Sequence, residues 1–381
     1  MQRLIDAWFE RERDVQPHSY RVRTRDGWRL AVHRYRPKSS AHHTPVVLCH
    51  GMSSNRWDMD GPGSLSLARY LRAAGYDVWV PELRGAGRSM RPSVWNGKRY
   101  DWTFEDYVYH DAPAVLRLVL RETPASRVHW VGHSMGGMIA YALLMTPIHT
   151  KIASAVTLGS PTMSRVGHPL LDLGVPYRAL LRYLPDRVPV GTLARLAAPF
   201  AGLLFRLFEE QIHDLGWHRG NANVPLMRAL MLTAVDDLPA SLLREFARWY
   251  DLRAMTNRYE LFDFTDHLER ITTPILIIAG SHDRLTPVED LRYVYERVSS
   301  SDKEFRVIGR ATGATNDYSH ADLILGLHAP DDVYPVIRQW LDRHRAVQRI
   351  RAGGGRSAES ARKVTPLGAA RAKRAAAPKS A

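Results

Sequence analysis

Val128-His129-Trp130-Val131-Gly132-His133-Ser134-Met135-Gly136-Gly137 runs from an apolar stretch into a G-x-S-x-G sequence, and an apolar helical pattern, Met138 to Met145, follows at once. A serine on so sharp a strand-to-helix turn sits in a strained backbone conformation, which small neighbours such as Gly132 and Gly136 make possible. The turn aims the hydroxyl at the positive end of the following helix, where a developing anion is stabilised. Gly137 lets that helix begin close to the strand.

Similar apolar runs lie on either side. Val46 to Cys49, Tyr76 to Val80, Ile152 to Leu158, Pro274 to Ala279 and Phe305 to Ile308 read as strands, separated by helical patterns such as Leu65 to Ala74. Continuously apolar strands alternating with helices predict an α/β fold with a mostly parallel sheet covered by helices on both faces. Tyr20 to Thr24 and Trp28 to Tyr35 flank Asp26-Gly27 and predict an antiparallel hairpin. The strand rhythm stops between Pro161 and Arg270, which is rich in Leu, Arg and Ala. The expected organisation is a core of residues 1–160 and 271–345, a helical insertion over 161–270, and an Ala-rich basic tail over 346–381, too poor in large apolar residues to order itself.

Composition narrows the function classes. With 45% hydrophobic and 24% charged residues, the 381-residue chain is neither wholly disordered nor fibrous. One cysteine, Cys49, excludes an intramolecular disulfide framework and any cysteine-cluster metal site. It reads as a small buried strand residue. The net charge of +14 is uneven: residues 346–381 hold nine Lys/Arg and one acid, so the tail carries 9 − 1 = +8 and the rest 14 − 8 = +6. The tail is expected to be a solvated extension, with weak contact to a polyanion or anionic membrane as the sharper alternative. It has no interleaved aromatics, so specific nucleic-acid recognition is not expected.

The first 14 residues are too charged for an uninterrupted apolar signal core. Leu4, Ile5, Trp8 and Phe9 would share one face of a short helix, docked on the domain or, alternatively, lying in a membrane interface. No transmembrane segment is expected, because glycines and Ser134 interrupt the uncharged stretch Trp130 to Thr150. The expected location is cytoplasmic, with peripheral membrane contact as the alternative.

A serine hydroxyl needs a base, and the base needs an orienting partner. Asp283, in Gly280-Ser281-His282-Asp283-Arg284, follows the Ile-rich strand directly. His320, in Asp317-Tyr318-Ser319-His320-Ala321-Asp322, follows the last strand after a polar loop. Loops at the carboxyl ends of parallel strands converge, so both can reach Ser134. His282 neighbours the acid but is expected to point elsewhere. The turn His50-Gly51-Met52 ends the first long strand. Its Met52 amide and the Met135 amide are the expected pair of oxyanion donors.

These residues together resemble the α/β-hydrolase superfamily, over roughly Tyr20 to His344 without most of the insertion. His50-Gly51, Arg84-Gly85-Ala86-Gly87-Arg88-Ser89, Gly132-His133-Ser134-Met135-Gly136-Gly137, Asp283 and His320 carry the resemblance. It implies Ser134 as nucleophile, His320 as base, Asp283 as its orienter, the Met52 and Met135 amides as oxyanion hole, and the insertion as the family's cap or lid. The chain looks most like serine lipases and esterases, and its His320 loop is similar to that of the acid lipase group. One departure is Glu82, where relatives commonly carry Asp; no catalytic consequence is expected. The expected activity is hydrolysis of a carboxylic ester with an apolar acyl group, through an acyl-enzyme, with no metal or organic cofactor. Leu203 to Phe208 and Leu226 to Met231 either line a tunnel for that group or simply pack helices together. Thioesterase, acyltransferase and carbon–carbon bond hydrolase chemistry use the same machinery, and a non-catalytic binding protein of this fold is the remaining alternative.

Overall fold

The computed structural model describes residues 15–39, 44–163, 180–210 and 216–345. The stretch containing Leu4 to Phe9 and the basic tail from residue 346 lie outside them. The chain separates into two compact units, Met1–Ala346 and Val347–Ala381.

Eight strands form one sheet: β1 (His18–Arg23), β2 (Arg29–Tyr35), β3 (Val46–Cys49), β4 (Val78–Glu82), β5 (Val128–His133), β6 (Ile152–Leu158), β9 (Ile275–Gly280) and β10 (Lys303–Ile308). Their spatial order is β1-β2-β4-β3-β5-β6-β9-β10. The hairpin β1–β2 is antiparallel and joins β4 antiparallel; every other pairing is parallel. The central strands β3, β4, β5 and β9 are buried on both faces, and the two-residue period of a strand sorts their side chains between two cores. Ile275 and Ile277 enter one cluster with Trp79 and Trp130, whereas Leu276 and Ile278 enter the other with Val131 and Trp340.

Several strand ends differ from the sequence reading, and two of them bring charged residues into the sheet. The fourth starts at Val78 and continues through Glu82, whose carboxylate lies 3.2 Å from His33 and so remains inside the sheet. The last begins at Lys303, because an edge strand with one partner tolerates Lys303 and Glu304 on its open side.

Helices cover both faces: α1 (Leu67–Ala73), α2 (Ala112–Glu122), α3 (Met135–Leu144), and, after the insertion, α8 (Val288–Arg297) and α9 (Tyr334–Arg343). Every residue of α3 is buried. Between β6 and β9 the described residues form α4 (Val190–Ala197), α5 (Ala201–Leu207), α6 (Val224–Thr233) and α7 (Ala240–Leu252), with a two-residue ladder pairing β7 (Arg187–Val188) and β8 (Leu238–Pro239). Leu226 and Leu230 of α6 are buried in the core. By contrast, Leu203, Leu207 and Phe208 are 57%, 64% and 49% exposed. The second apolar cluster therefore packs as helix core, and this part of the first faces solvent.

Gly136 sets how closely α3 approaches the sheet. A Cβ there would stand 2.2 Å from the Cys49 carbonyl oxygen and 2.9 Å from that of His50. Gly136→Ala is expected to lower stability by about 3 kcal/mol, the upper range for overpacking. Gly97→Ala, at φ 63° but with open space around it, is expected to lose only about 1 kcal/mol. Urea unfolding midpoints of the two variants compare these costs.

Candidate active site

Ser134 closes β5 with φ 52° and ψ −122°, a left-handed value that a side-chain-bearing residue adopts only under constraint. Its amide donates to the Leu158 carbonyl at the end of β6, at 2.8 Å. Gly51 faces it so closely that an added Cβ would stand 3.3 Å from the Ser134 Cβ.

Asp283 and His320 come from the loops after β9 and β10. His320 Nδ1 lies 2.9 Å from Asp283 Oδ2, with both residues buried. Asp283 is itself held: Thr286 donates its amide to Oδ1 at 2.7 Å and its hydroxyl to Oδ2. Gly159 joins the two halves of the site. The residue before it binds the Ser134 amide, and a Cβ on Gly159 would come within 3.1 Å of His320 Nδ1 and 3.3 Å of Asp283 Oδ2. The structure thus gathers Ser134, Asp283 and His320 around the end of β6. Thr286 and Gly159 escaped the sequence reading, since a loop Thr and a strand-ending Gly are too common to signal anything alone.

The turn after β3 is fixed from both sides. Leu83 N donates to His50 Nε2 at 3.1 Å, which leaves Nδ1 to donate to the Gly51 carbonyl at 2.8 Å. His50 is therefore neutral and structural. Asn55 Nδ2 donates to Thr233 O and to Asp236 Oδ2, both at 2.8 Å, Ser54 Oγ donates to Ala234 O, and Asp236 N donates to Ser53 O. Asp236 also accepts from Gly87 N and pairs with Arg91. The insertion is thereby stitched to the residues just after Met52 and to the Gly-rich loop. A cavity of about 20 Å³, room for one water-sized group, lies among Gly51, Ser53, Met135, Asp236 and Leu238. Among the described residues, neither the Met52 nor the Met135 N–H meets a protein acceptor.

Glu82, the departure noted above, braces the Gly-rich loop by accepting from Arg88 N at 2.6 Å. Gly87 has φ 49° and an added Cβ would strike the Glu82 carboxylate. Arg84 is buried between Asp111, at 2.7 Å, and Asp26, at 2.8 Å. This side of the site is architecture.

A buried pair lies directly beneath the nucleophile. His133 places Nδ1 3.1 Å from Asp58 Oδ2 and Nε2 3.1 Å from the His320 carbonyl oxygen. Both partners are acceptors, so both ring nitrogens are placed to donate and the imidazolium form of His133 is favoured. Burial pushes its pKa down, but the Asp58 carboxylate and the His320 carbonyl more than offset that and hold it above the ordinary value. Burial likewise pushes Asp58 up, and His133 with the Gly51 amide brings it below the usual carboxylate range. One carboxylate thus anchors Gly51 and, through His133, the backbone that carries His320. His133 was visible only as the variable position of G-x-S-x-G, and Asp58 carried no sequence signal.

Residues 44–311 match the model for the alpha/beta hydrolase fold. This chain belongs to the α/β-hydrolase family. Lipase 3 of Drosophila melanogaster is 26% identical over 374 residues, 88% of this chain and 91% of the relative. Human lipase member M is 30% identical over 354 residues, 84% of this chain and 81% of the relative. Among solved structures, a thermophilic esterase from Thermogutta terrifontis aligns with a TM-score of 0.56 at 20% identity, covering 86% of this chain and 99% of the esterase. This α/β hydrolase is therefore a hydrolase of the lipase and esterase type.

Breaking the pair below Ser134 tests its weight. Asp58→Asn is expected to cost about 3 kcal/mol near pH 6, since it leaves a buried cation without its counter-charge. The raised folded pKa of His133 means that its contribution is complete below the unfolded value of about 6.5 and fades as pH climbs through the folded value. The gap between wild type and variant should therefore narrow at pH 9, as measured by urea midpoints at both pH values.

Proposed function

We propose that the chain is a serine ester hydrolase acting on carboxylic esters with an apolar acyl group. The observation that carries this reading is the Asp283–His320 hydrogen bond beside a Ser134 held in a nucleophile turn. Ser134 Oγ attacks the ester carbonyl while His320 Nε2 takes its proton. Asp283 holds Nδ1–H and stabilises the imidazolium that forms. The negative charge on the carbonyl oxygen meets the Met52 and Met135 amides, and the start of the buried helix α3 adds its positive end. His320 returns the proton to the leaving alcohol, an acyl-Ser134 remains, and water activated by His320 releases the acid.

The apolar part of the reading draws support from α4 and α5. Val190, Leu193, Leu196, Phe200, Leu203 and Leu207 recur at three- and four-residue spacing and are all exposed. The stretch Val190–Leu207 has mean hydropathy 1.3 with 17% of it buried, and by length and composition alone could cross a membrane. A 3-10 turn with Pro199 interrupts it at Ala198–Phe200. Such a face stabilises itself by meeting an apolar phase. In this reading it contacts aggregated ester or lipid from the side, and the protein acts as a peripheral cytoplasmic hydrolase.

Ser134→Ala is expected to abolish hydrolysis of p-nitrophenyl esters, by roughly 10⁴-fold or more, and to abolish labelling by a fluorophosphonate probe while the circular dichroism spectrum is unchanged. Retained turnover would remove Ser134 from the mechanism. Leu203→Asp with Leu207→Asp is expected to leave the hydrolysis of a short, soluble ester intact and to lower the rate on an emulsified long-chain ester at least about tenfold. Equal rates on both substrates would detach the exposed face from catalysis.

A further inference from the structure

His282 does point away from the catalytic centre, and what it points toward is chemically specific. It stands on the loop after β9, beside Asp317 of the loop after β10 and His218 of the insertion. Possible ligand atoms of His218, His282 and Asp317 all lie within 4.8 Å of one another. The two imidazole rings are 4.9 Å apart, and His282 Nδ1 is 3.7 Å from Asp317 Oδ1.

We propose that His218, His282 and Asp317 form a zinc site that clips the helical insertion to the two loops carrying Asp283 and His320.

The donor set narrows the metal to the borderline divalent ions. Two imidazoles and one carboxylate suit Zn²⁺, whereas Mg²⁺ and Ca²⁺ favour all-oxygen shells. Three protein ligands leave a fourth tetrahedral position for water. Bonds of about 2.0–2.2 Å require ligand atoms roughly 3.4 Å apart. The cluster must therefore contract by up to about 1.4 Å, which rotation of the His282 ring can supply, because that side chain is 56% exposed.

The groups behind the ligands are already in place. Asp317 Oδ1 accepts from Ser281 Oγ at 2.9 Å and from Arg310 N at 3.0 Å. His218 Nδ1 lies 3.1 Å from the Arg219 carbonyl oxygen. A carbonyl can only accept, so Nδ1 carries the proton and Nε2 the lone pair that a metal needs. Outer hydrogen bonds of this kind fix tautomer and orientation at metal sites. In the other His–carboxylate cluster among the described residues, Asp26, Asp106 and His110, both carboxylates are already engaged by Arg84.

The three ligands come from segments that already adhere. Ala321 N donates to Gly216 O at 2.7 Å, His218 N to Asp322 Oδ2 at 2.8 Å, and Asn221 Nδ2 to Asp317 O at 2.8 Å. A metal bridging His218 to His282 and Asp317 would strengthen this adhesion when zinc is bound. The site does not depend on the reaction assigned to Ser134.

The test uses the full chain stripped with a chelator, titrated with Zn²⁺ against a chromogenic competitor and followed by thermal unfolding. One Zn²⁺ per chain is expected, with a Tm rise of about 2–5 °C at 100 times Kd. His218→Ala and His282→Ala should each weaken binding at least about tenfold and remove the Tm shift, and His110→Ala should change neither. Fluorophosphonate labelling of Ser134 in the same variants reports the catalytic assignment separately. Absence of stoichiometric binding, or binding that survives both the His218 and His282 substitutions, would overturn the proposal.

Discussion

Helix α3 can start at Met135 only because Gly132 and Gly136 allow its first turn to lie against the carbonyls of Cys49 and His50. That contact forces Ser134 into its left-handed backbone and brings the end of β5 within van der Waals reach of Gly51. The positions of the two amides proposed to bind the oxyanion follow from the same contact, since one begins α3 and the other follows Gly51. The strain is held because α3 is buried along its whole length and its residues cannot relax outward.

Around this contact the loops are tied by buried charge. Asp58 with His133, Arg84 with Asp111 and Asp26, and Asp236 with Arg91 each join segments far apart in sequence. A buried pair adds little net stability over well-packed apolar groups, but an unpaired partner is costly, so alternative loop arrangements are penalised. Three of these groups bear directly on the site. Asp58 holds Gly51, His133 holds the His320 backbone, and Asp236 holds the insertion against the Gly-rich loop.

The sheet was legible because its strands are continuous apolar runs, and one such as Ile275 to Ile278 allows little other arrangement. The catalytic candidates were legible because their chemistry restricts residue type: a Ser between glycines, an acid after a strand, a His after the next strand. The insertion was legible only as helical. Its Leu- and Phe-rich segments have one composition and two fates, since Leu226 and Leu230 are buried while Leu203 and Leu207 are exposed. Amphipathic spacing shows that residues share a face but not what that face meets.

The sequence by itself determined the α/β class, the turn at Ser134 and the placing of Asp283 and His320 in loops that follow strands, because each depends on residues close together in sequence. Tertiary structure decided that His133 pairs with Asp58, that Asp236 ties the insertion to the Gly-rich loop, and that His218 meets His282 and Asp317. Each of these pairs residues from separate segments. Long-range hydrogen bonds and burial set protonation and orientation, and neither has a local signature in the chain.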